Sequence, residues 1–448
     1  MNSAELATLL KGKLLGSRYA FAKGFSIDSR RVKQGDVFIA LRGQKDDGHN
    51  YLGEAFSKGA VGAIVQRDGC EPPPGKFLIK VKDTFEALRD IARYRRKTYR
   101  GKVIAVAGSV GKTTTKELIH HLLCSVGRAY KSEGNLNSRI GLPLVLANMD
   151  MDSDFAVLEL GASAVGDVLE LTKLSEPKVR VITALGEEHL EGFGSIENVI
   201  KGNGEIFWGF GGDDCAVIPA YAKRFYPLEG GRVLTFGDGG DIRADNVALS
   251  LKGTSFEFMG HEVSIPVLSK GIVDNVLASL GVVHVLGYEP PELIHRLRGF
   301  KPPQGRMNLI KLGDAYLIDD TYNANPPSVR NALETLALVG RNSKKVALLG
   351  DMLELGKESE KLHREVGKLV VKLGIDFAIF YGTEMKFAYD ACQKVGGNCV
   401  YTMHKEEVIE LVLKWLRHKN IILIKGSRGM RMEFFLEKIR GIVEDELQ

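Results

Sequence analysis

Val103-Ile-Ala-Val-Ala-Gly-Ser-Val-Gly-Lys-Thr-Thr-Thr115 sets an apolar run against two glycines, then a lysine and three threonines. The apolar run reads as a buried strand, and Leu118, Ile119, Leu122 and Leu123 recur at helical spacing after the loop. Between strand and helix, Gly108, Ser109, Val110 and Gly111 form a turn whose backbone N–H groups can point at anionic oxygens. The helix start adds its positive end and Lys112 a point charge, while a hydroxyl of Thr113 or Thr114 can ligate Mg²⁺. The expected ligand is a nucleoside triphosphate. The Walker A spacing needs glycine five residues before Gly111; Val106 stands there, so the loop is a shorter Gly-x-x-Gly-Lys-Thr form. A chance turn could carry Gly-Lys-Thr, but it would lack the flanking strand and helix periodicities. The loop leaves the reaction open, because kinases, switches, motors and ligases all use it.

Outward from this loop the pattern is α/β throughout. On the N-terminal side, short apolar segments at Val37–Leu41, Val61–Val65 and Phe77–Val81 flank a helix-like stretch at Tyr51–Lys58, and a second helix is expected over 84–99. On the C-terminal side, strands are expected at 155–160 and 179–184, antiparallel sheet at Ser255–Phe258 and a helix over 273–286. Lys301-Pro-Pro-Gln-Gly305 reads as a linker. Beyond it, strands at 315–320, 346–350, 376–381 and 420–425 alternate with helices at 328–338, 358–373, 405–417 and 431–443, the pattern of a doubly wound sheet. The reading is three domains: a small α/β domain over 1–82, a central phosphate-loop α/β domain over 83–304, and a C-terminal Rossmann-like domain over 305–448.

Composition narrows the class. The 448 residues are too many for a single core; 44% hydrophobic and 26% charged residues are ordinary for a globular protein. A net charge of +5 is mild at this length and gives no argument for nucleic acid. The basic run Arg93, Arg95, Arg96, Lys97 and Arg100 reads as a solvated helix face. Five scattered cysteines without a Cys-x-x-Cys pair indicate neither a disulfide framework nor a zinc site. No stretch approaches eighteen apolar residues and no leader pattern opens the chain, so a cytoplasmic protein without membrane insertion is expected.

Further polar groups fall at the carboxyl ends of expected strands. Glu159 closes Phe155-Ala-Val-Leu158; it reads equally as a Mg²⁺ ligand near the phosphate loop or as an ordinary strand-end acid. His189 lies in Gly186-Glu-Glu-His-Leu-Glu-Gly-Phe-Gly194, after another strand. Asp319-Asp-Thr-Tyr-Asn-Ala-Asn-Pro-Pro-Ser328 and Lys425-Gly-Ser-Arg-Gly-Met-Arg-Met-Glu433 follow two more. Singly, each string also suits turns and helix caps; together they suit a cleft.

These strings, with Gly305-Arg306, Leu349-Gly-Asp-Met-Leu-Glu-Leu-Gly356, Asp28-Ser-Arg-Arg-Val-Lys-Gln-Gly-Asp-Val-Phe-Ile-Ala-Leu-Arg-Gly43 and Asp47-Gly-His49, resemble the Mur ligase family over nearly the whole chain. The likeness is greatest to the branch that joins D-alanyl-D-alanine to UDP-N-acetylmuramoyl-tripeptide. The resemblance implies ATP and Mg²⁺ as cofactors and an acyl phosphate intermediate; a monomer is expected, although the sequence itself is silent on oligomeric state. It implies that Lys112 holds the β- and γ-phosphates and that Gly108 to Thr114 cradle them. Thr113 and Glu159 would take one Mg²⁺ and His189 a second, with Asn275 at the adenine, and Arg306 and Asp320 at the phosphates and ribose. Ser29 and Arg30 would meet the uridine end and Asn135 and Asn137 the sugar-peptide. Asn323, Asn325, Lys425, Ser427 and Arg428 would border the substrates in the C-terminal domain.

Three departures stand out. The family's carbamylated lysine, fourteen residues after the histidine, is Asn203, and Lys201 points about 200° away around a helix. Gly271 and Ile272 replace a His-Asn pair, and Ser138 replaces the second residue of an Asn-Asn pair. Neighbouring readings are a tripeptide-forming Mur ligase, a folylpolyglutamate synthetase, or a nucleotide-binding regulatory protein without ligation. The diamino-acid string Asp-Asn-Pro-Arg of the first is absent.

Overall fold

The computed structural model describes all residues except 44–45, 340–342, 417–418 and 447–448. Its contacts gather the chain into two compact units: Met1–Ala105 with Gly127–Gly161 and Glu170–Pro177, and Val106–Val126 with Ala162–Leu169 and Lys178–Gln448. The strand Lys102–Ala107 begins in the first and ends in the second.

In the first unit, five strands lie in the order Lys13–Gly16, Phe77–Lys80, Gly62–Val65, Asp36–Ile39, Gly24–Ser26; the first pair is antiparallel and the others parallel. Residue alternation divides the apolar side chains between two faces. Val37, Ile39, Ile64 and Ile79 pack with Leu6, Leu88 and Ile91, while Phe38, Ala63, Val65 and Leu78 pack with Val32 and Ala55. A strand buried on both faces needs a continuous apolar run, which is why Val37-Phe-Ile39 was legible. The helix Thr84–Thr98 starts at Asp83, whose Oδ1 accepts the N–H groups of Phe85 and Glu86. Its basic face is not simply solvated: Arg95 donates to Met149 O at 2.5 Å, and Arg96 to the carbonyls of Ser175 and Glu176 at 2.5 and 2.7 Å. Guanidinium groups with several donors can satisfy several carbonyls at once, so that expectation is corrected.

In the second unit, Val179–Ile182, Cys215–Pro219 and Arg232–Phe236 run parallel, and Asp245–Ser250, Gly253–Phe258 and His261–Ile265 form an antiparallel sheet. The strand expected to reach 184 stops at Ile182. The two residues after it instead hold the phosphate loop: Thr183 N donates to Ala107 O at 3.0 Å and Ser109 N to Ala184 O at 2.6 Å.

The C-terminal sheet runs Asn308–Leu312, Ala315–Asp320, Ile421–Lys425, Lys345–Gly350, Phe377–Tyr381, Cys399–Thr402; only the first pair is antiparallel. Leu317, Val346, Leu348, Ile379, Ile422, Ile424 and Phe435 form its core. Ile421–Lys425 lies between strands that precede it in sequence, so the connections diverge at Asp320 and Lys425, which pair in register. Crevices of doubly wound sheets open at such a point. The helix expected over 405–417 spans Lys405–Trp415, and position 417 lies outside the described residues. The last helix starts at Glu433, beyond Arg431 in the left-handed region at φ +51°.

Candidate active site

The turn between Ala107 and Lys112 is set by two glycines that no other residue could replace without movement. Gly108 has φ +129°, and a Cβ there would lie 2.3 Å from Thr183 Oγ1; Gly111 has φ +89°, and its Cβ would lie 2.3 Å from Asn275 Oδ1. The helix Lys112–Leu123 starts at once after Gly111 without a side-chain cap, leaving its first N–H groups facing the turn. Ser109 is held from both sides, since its Oγ accepts Gly186 N–H at 3.1 Å and its carbonyl accepts Asn325 Nδ2 at 3.4 Å.

Lys112 Nζ donates to Gly108 O and lies 3.1 Å from Glu188 Oε2. Glu188 is 3% exposed. Its other oxygen accepts Asn203 Nδ2 at 3.1 Å, and Asn203 Oδ1 accepts the Gly108 N–H at 2.8 Å. Asn275 Oδ1 accepts Thr115 Oγ1 at 3.3 Å, so this side chain also buttresses the loop.

Arg306 reaches the cradle from the C-terminal part of this unit. Gly305 and Met307 at φ +71° and +53° bend the chain around it, and Met307 N donates to Asp320 Oδ1 at 3.3 Å. Arg306 Nη2 donates to Thr113 Oγ1 at 3.0 Å, and Arg306 Cζ sits 4.2 Å from the Tyr322 ring centroid. Arg306 Nε is buried and has no acceptor among the described residues. A buried guanidinium donor of this kind suits an anionic oxygen. Arg428 lies 5.7 Å from the same ring, so Tyr322 carries two cations.

Asp320 binds Lys425 Nζ at 2.6 Å, and Lys425 also donates to Asn323 O at 2.8 Å. Burial pushes the Lys425 ammonium down from its usual range, against the attraction of Asp320. Lys425 is 2% exposed, so its contact with Asp320 and Asn323 anchors the loop that carries Tyr322. Ser427 Oγ donates to Ala324 O at 3.1 Å and accepts Leu353 N–H at 2.9 Å. Arg428 N donates to Asn323 Oδ1 at 3.2 Å, leaving its guanidinium exposed beside Glu433. Asn325 Oδ1 accepts Ser328 N–H and starts the helix Pro326–Val339, with proline at the position where the missing N–H costs nothing. His189 adopts φ +43° and its Nδ1 contacts Glu354 Oε2, so Nε2 is the nitrogen left to act as a ligand.

The first unit holds the remaining expected residues. Glu159 is buried at 3% exposure; Oε1 accepts Asn137 Nδ2 at 2.7 Å and its N–H donates to Ser132 Oγ at 3.1 Å. Asn137 O accepts Gly161 N–H at 2.8 Å, while Asn135 is exposed on the same loop. Ser29 Oγ donates to Glu54 Oε2 at 2.5 Å. Arg30 is exposed and grips Asp28 with two bonds of 2.9 Å, which holds that carboxyl below its usual value. Among the described residues, no three or more His, Cys, Asp or Glu side chains gather as a metal site. Glu188, Tyr322 and Glu354 have no expected role from sequence although each lies inside one of the strings quoted above, because each acts through partners distant in sequence.

A glycine cradle opening a helix, a lysine beside it and an arginine from a doubly wound sheet define an α/β protein built to bind a nucleotide and work on its phosphates. Three family models match in succession: "Mur ligase family, catalytic domain" over residues 22–96, "Mur ligase middle domain" over 106–283, and "Mur ligase, glutamate ligase domain" over 305–428. The chain belongs to the Mur ligase family and has its three-domain α/β fold. It is 32% identical over 452 residues to the UDP-N-acetylmuramoyl-tripeptide–D-alanyl-D-alanine ligase of Bacillus subtilis, covering 99% of this chain and 98% of that one. Among solved structures it resembles MurF from Acinetobacter baumannii, with a TM-score of 0.88, 28% identity and 98% of each chain covered. It also resembles the Thermotoga maritima MurF ligase in complex with ADP, with a TM-score of 0.83, 29% identity, and 94% and 98% covered.

Proposed function

We infer that the chain is an ATP-dependent amide ligase that joins D-alanyl-D-alanine to UDP-N-acetylmuramoyl-tripeptide, giving ADP and phosphate, in peptidoglycan precursor synthesis. The observation that carries the reading is the cradle itself, with Lys112, Thr113 and Arg306 converging on one glycine turn. A carboxylate oxygen of the tripeptide attacks the γ-phosphorus and ADP leaves; the dipeptide amine then attacks the acyl carbon and phosphate departs with the carboxylate oxygen. Both steps place charge on phosphoryl oxygens, where fixed cations and backbone N–H groups lower the barrier.

Lys112 holds the β- and γ-phosphates, and Arg306 brings its buried Nε and its Nη2 to the same group. Asn275 borders the adenine and Asp320 the ribose. Ser29, Arg30, Asn135 and Asn137 receive the UDP-sugar-peptide, and Asn323, Asn325, Ser427 and Arg428 the amine side, with Lys425 holding that loop in place. The hydroxyl of Thr113 with the carboxylate of Glu159 would hold one Mg²⁺ and Nε2 of His189 a second, and these ions would supply charge neutralisation on the phosphates. Few protein ligands suit an ion that keeps several waters. The division at 1–82, 83–304 and 305–448 gives the uridine end, the phosphate loop and the amine side to successive domains, with Asn135 and Asn137 of the second meeting the sugar-peptide and Arg306 and Asp320 of the third meeting the nucleotide, in a monomer of the cytoplasm without nucleic-acid partners. No helix among the described residues is long and apolar enough to cross a membrane.

A panel of UDP-linked acceptors and amines, scored by phosphate release from ATP, tests the reading. Release that requires both UDP-N-acetylmuramoyl-tripeptide and D-alanyl-D-alanine is expected. Equal release with L-glutamate and a folate acceptor would move the chain to another ligase, and ATP binding without release would support a regulatory role.

A further inference from the structure

Four groups form a closed ring of contacts around the phosphate turn. Gly108 N–H donates to Asn203 Oδ1 at 2.8 Å, Asn203 Nδ2 donates to Glu188 Oε1 at 3.1 Å, Glu188 Oε2 accepts Lys112 Nζ at 3.1 Å, and Lys112 Nζ donates back to Gly108 O. Asn203 Nδ2 also donates to Val199 O at 3.0 Å, which ties the ring to the helix Ile196–Gly204. Asn203 is 1% exposed and Glu188 3% exposed. An asparagine is suited to this position because its acceptor and donor are fixed on one planar group: the carbonyl meets the loop N–H while the amide meets the carboxylate. A carboxylate there would face Glu188 with like charge, and an apolar side chain would leave Glu188 Oε1 and the Gly108 N–H without these bonds in a buried place.

We propose that Asn203 is a positioning residue for ATP binding: it fixes the Gly108 peptide and, through Glu188, holds the Lys112 ammonium at the cradle. The proposal rests on the reading of the turn as an ATP cradle and adds to it the device that keeps the turn formed. Preformed donors need no reorganisation when phosphate enters, so the effect falls on ATP affinity first.

The test compares wild type, Asn203→Ala, Asn203→Asp and the double variant Asn203→Asp with Glu188→Gln. Three readouts are taken: hydrogen exchange at the Gly108 amide in nucleotide-free protein, the equilibrium Kd for ATP, and KM for each substrate. Asn203→Ala is expected to speed Gly108 exchange and to raise the Kd and KM for ATP by about tenfold each, the worth of a buried hydrogen bond, with KM for D-alanyl-D-alanine unchanged. Asn203→Asp is expected to do worse. The double variant reverses the donor and acceptor: the amide introduced at position 188 can donate to the carboxylate introduced at position 203 while its carbonyl still accepts from Lys112. It is expected to recover part of the Gly108 protection and of the ATP affinity relative to Asn203→Asp, short of wild type because a carboxylate at 203 cannot donate to Val199 O. Unchanged Gly108 exchange and ATP affinity in Asn203→Ala would overturn the proposal. Should that variant not fold, a double variant no better than Asn203→Asp alone would overturn it as well. Failure of the wild type to bind ATP would instead refute the ligase reading, leaving the exchange result to judge the ring.

Discussion

Lys112 occupies the first position of its helix, where the ammonium, the helix end and two glycine peptides act on one small volume. Lys112→Ala is expected to lower kcat by roughly 10²-fold, the scale of removing one preorganised charge stabiliser, as read by steady-state phosphate release. Turnover like wild type would count against the cradle. Arg306 contacts Thr113 and Tyr322 from a tight turn rather than from a core, so Arg306→Ala should raise KM for ATP about tenfold while binding of the UDP-substrate and the melting temperature stay near wild type. Loss of soluble protein would mark it as structural. Asn203 bears a third expectation: an amide nitrogen does not form a carbamate under conditions in which a lysine amine does. Depleting CO₂ and bicarbonate should leave the rate unchanged; stimulation by added bicarbonate would point to a modified lysine. At this scale, Lys112 and Thr113 were legible because local order of strand, turn and helix identifies them. Glu188 and Tyr322 were not, since a carboxylate parking a lysine and a ring between two arginines exist only once distant segments meet.

The strands and helices divide in the same way. Ile421–Lys425 and Lys345–Gly350 are buried throughout their apolar parts, so composition alone marks them. Lys13–Gly16, Gly24–Ser26 and Cys399–Thr402 are short strands at sheet edges, half exposed, and pairing rather than sequence makes them strands. The helix Met385–Lys394 likewise went unmarked, its short apolar face being recognisable only against the helix Ser359–Lys372. That neighbouring helix carries a titration of its own. His363 is fully buried; Nε2 accepts Met352 N–H at 3.1 Å and Nδ1 contacts Ser359 O at 2.8 Å, an arrangement only the neutral ring can keep. Burial pushes its pKa below the usual 6.5, so the unfolded chain binds the proton more readily than the folded one. Stability from this group is therefore present above pH 6.5 and lost as pH falls through that value toward the lower folded one. Urea midpoints should rise from about pH 5 to about pH 7 in wild type and less steeply in His363→Gln. Equal slopes would show that the ring does not carry the dependence.

For the molecule as a whole, a doubly wound C-terminal sheet and a phosphate loop could be read from alternation and glycine spacing, and the order of the specific strings matched the family. Where the contacts part the chain could not be read, because the central strand Lys102–Ala107 is continuous in sequence yet divided between the two compact units. ATP use in such a ligase has one chemical purpose, to turn a carboxylate oxygen into a leaving group. UDP-N-acetylmuramoyl-tripeptide carrying ¹⁸O in both oxygens of the reacting carboxylate, incubated with ATP and D-alanyl-D-alanine, tests that directly by mass spectrometry of the phosphate. One labelled oxygen is expected in each phosphate released and one in the new amide carbonyl; ligated product with unlabelled phosphate would contradict the account.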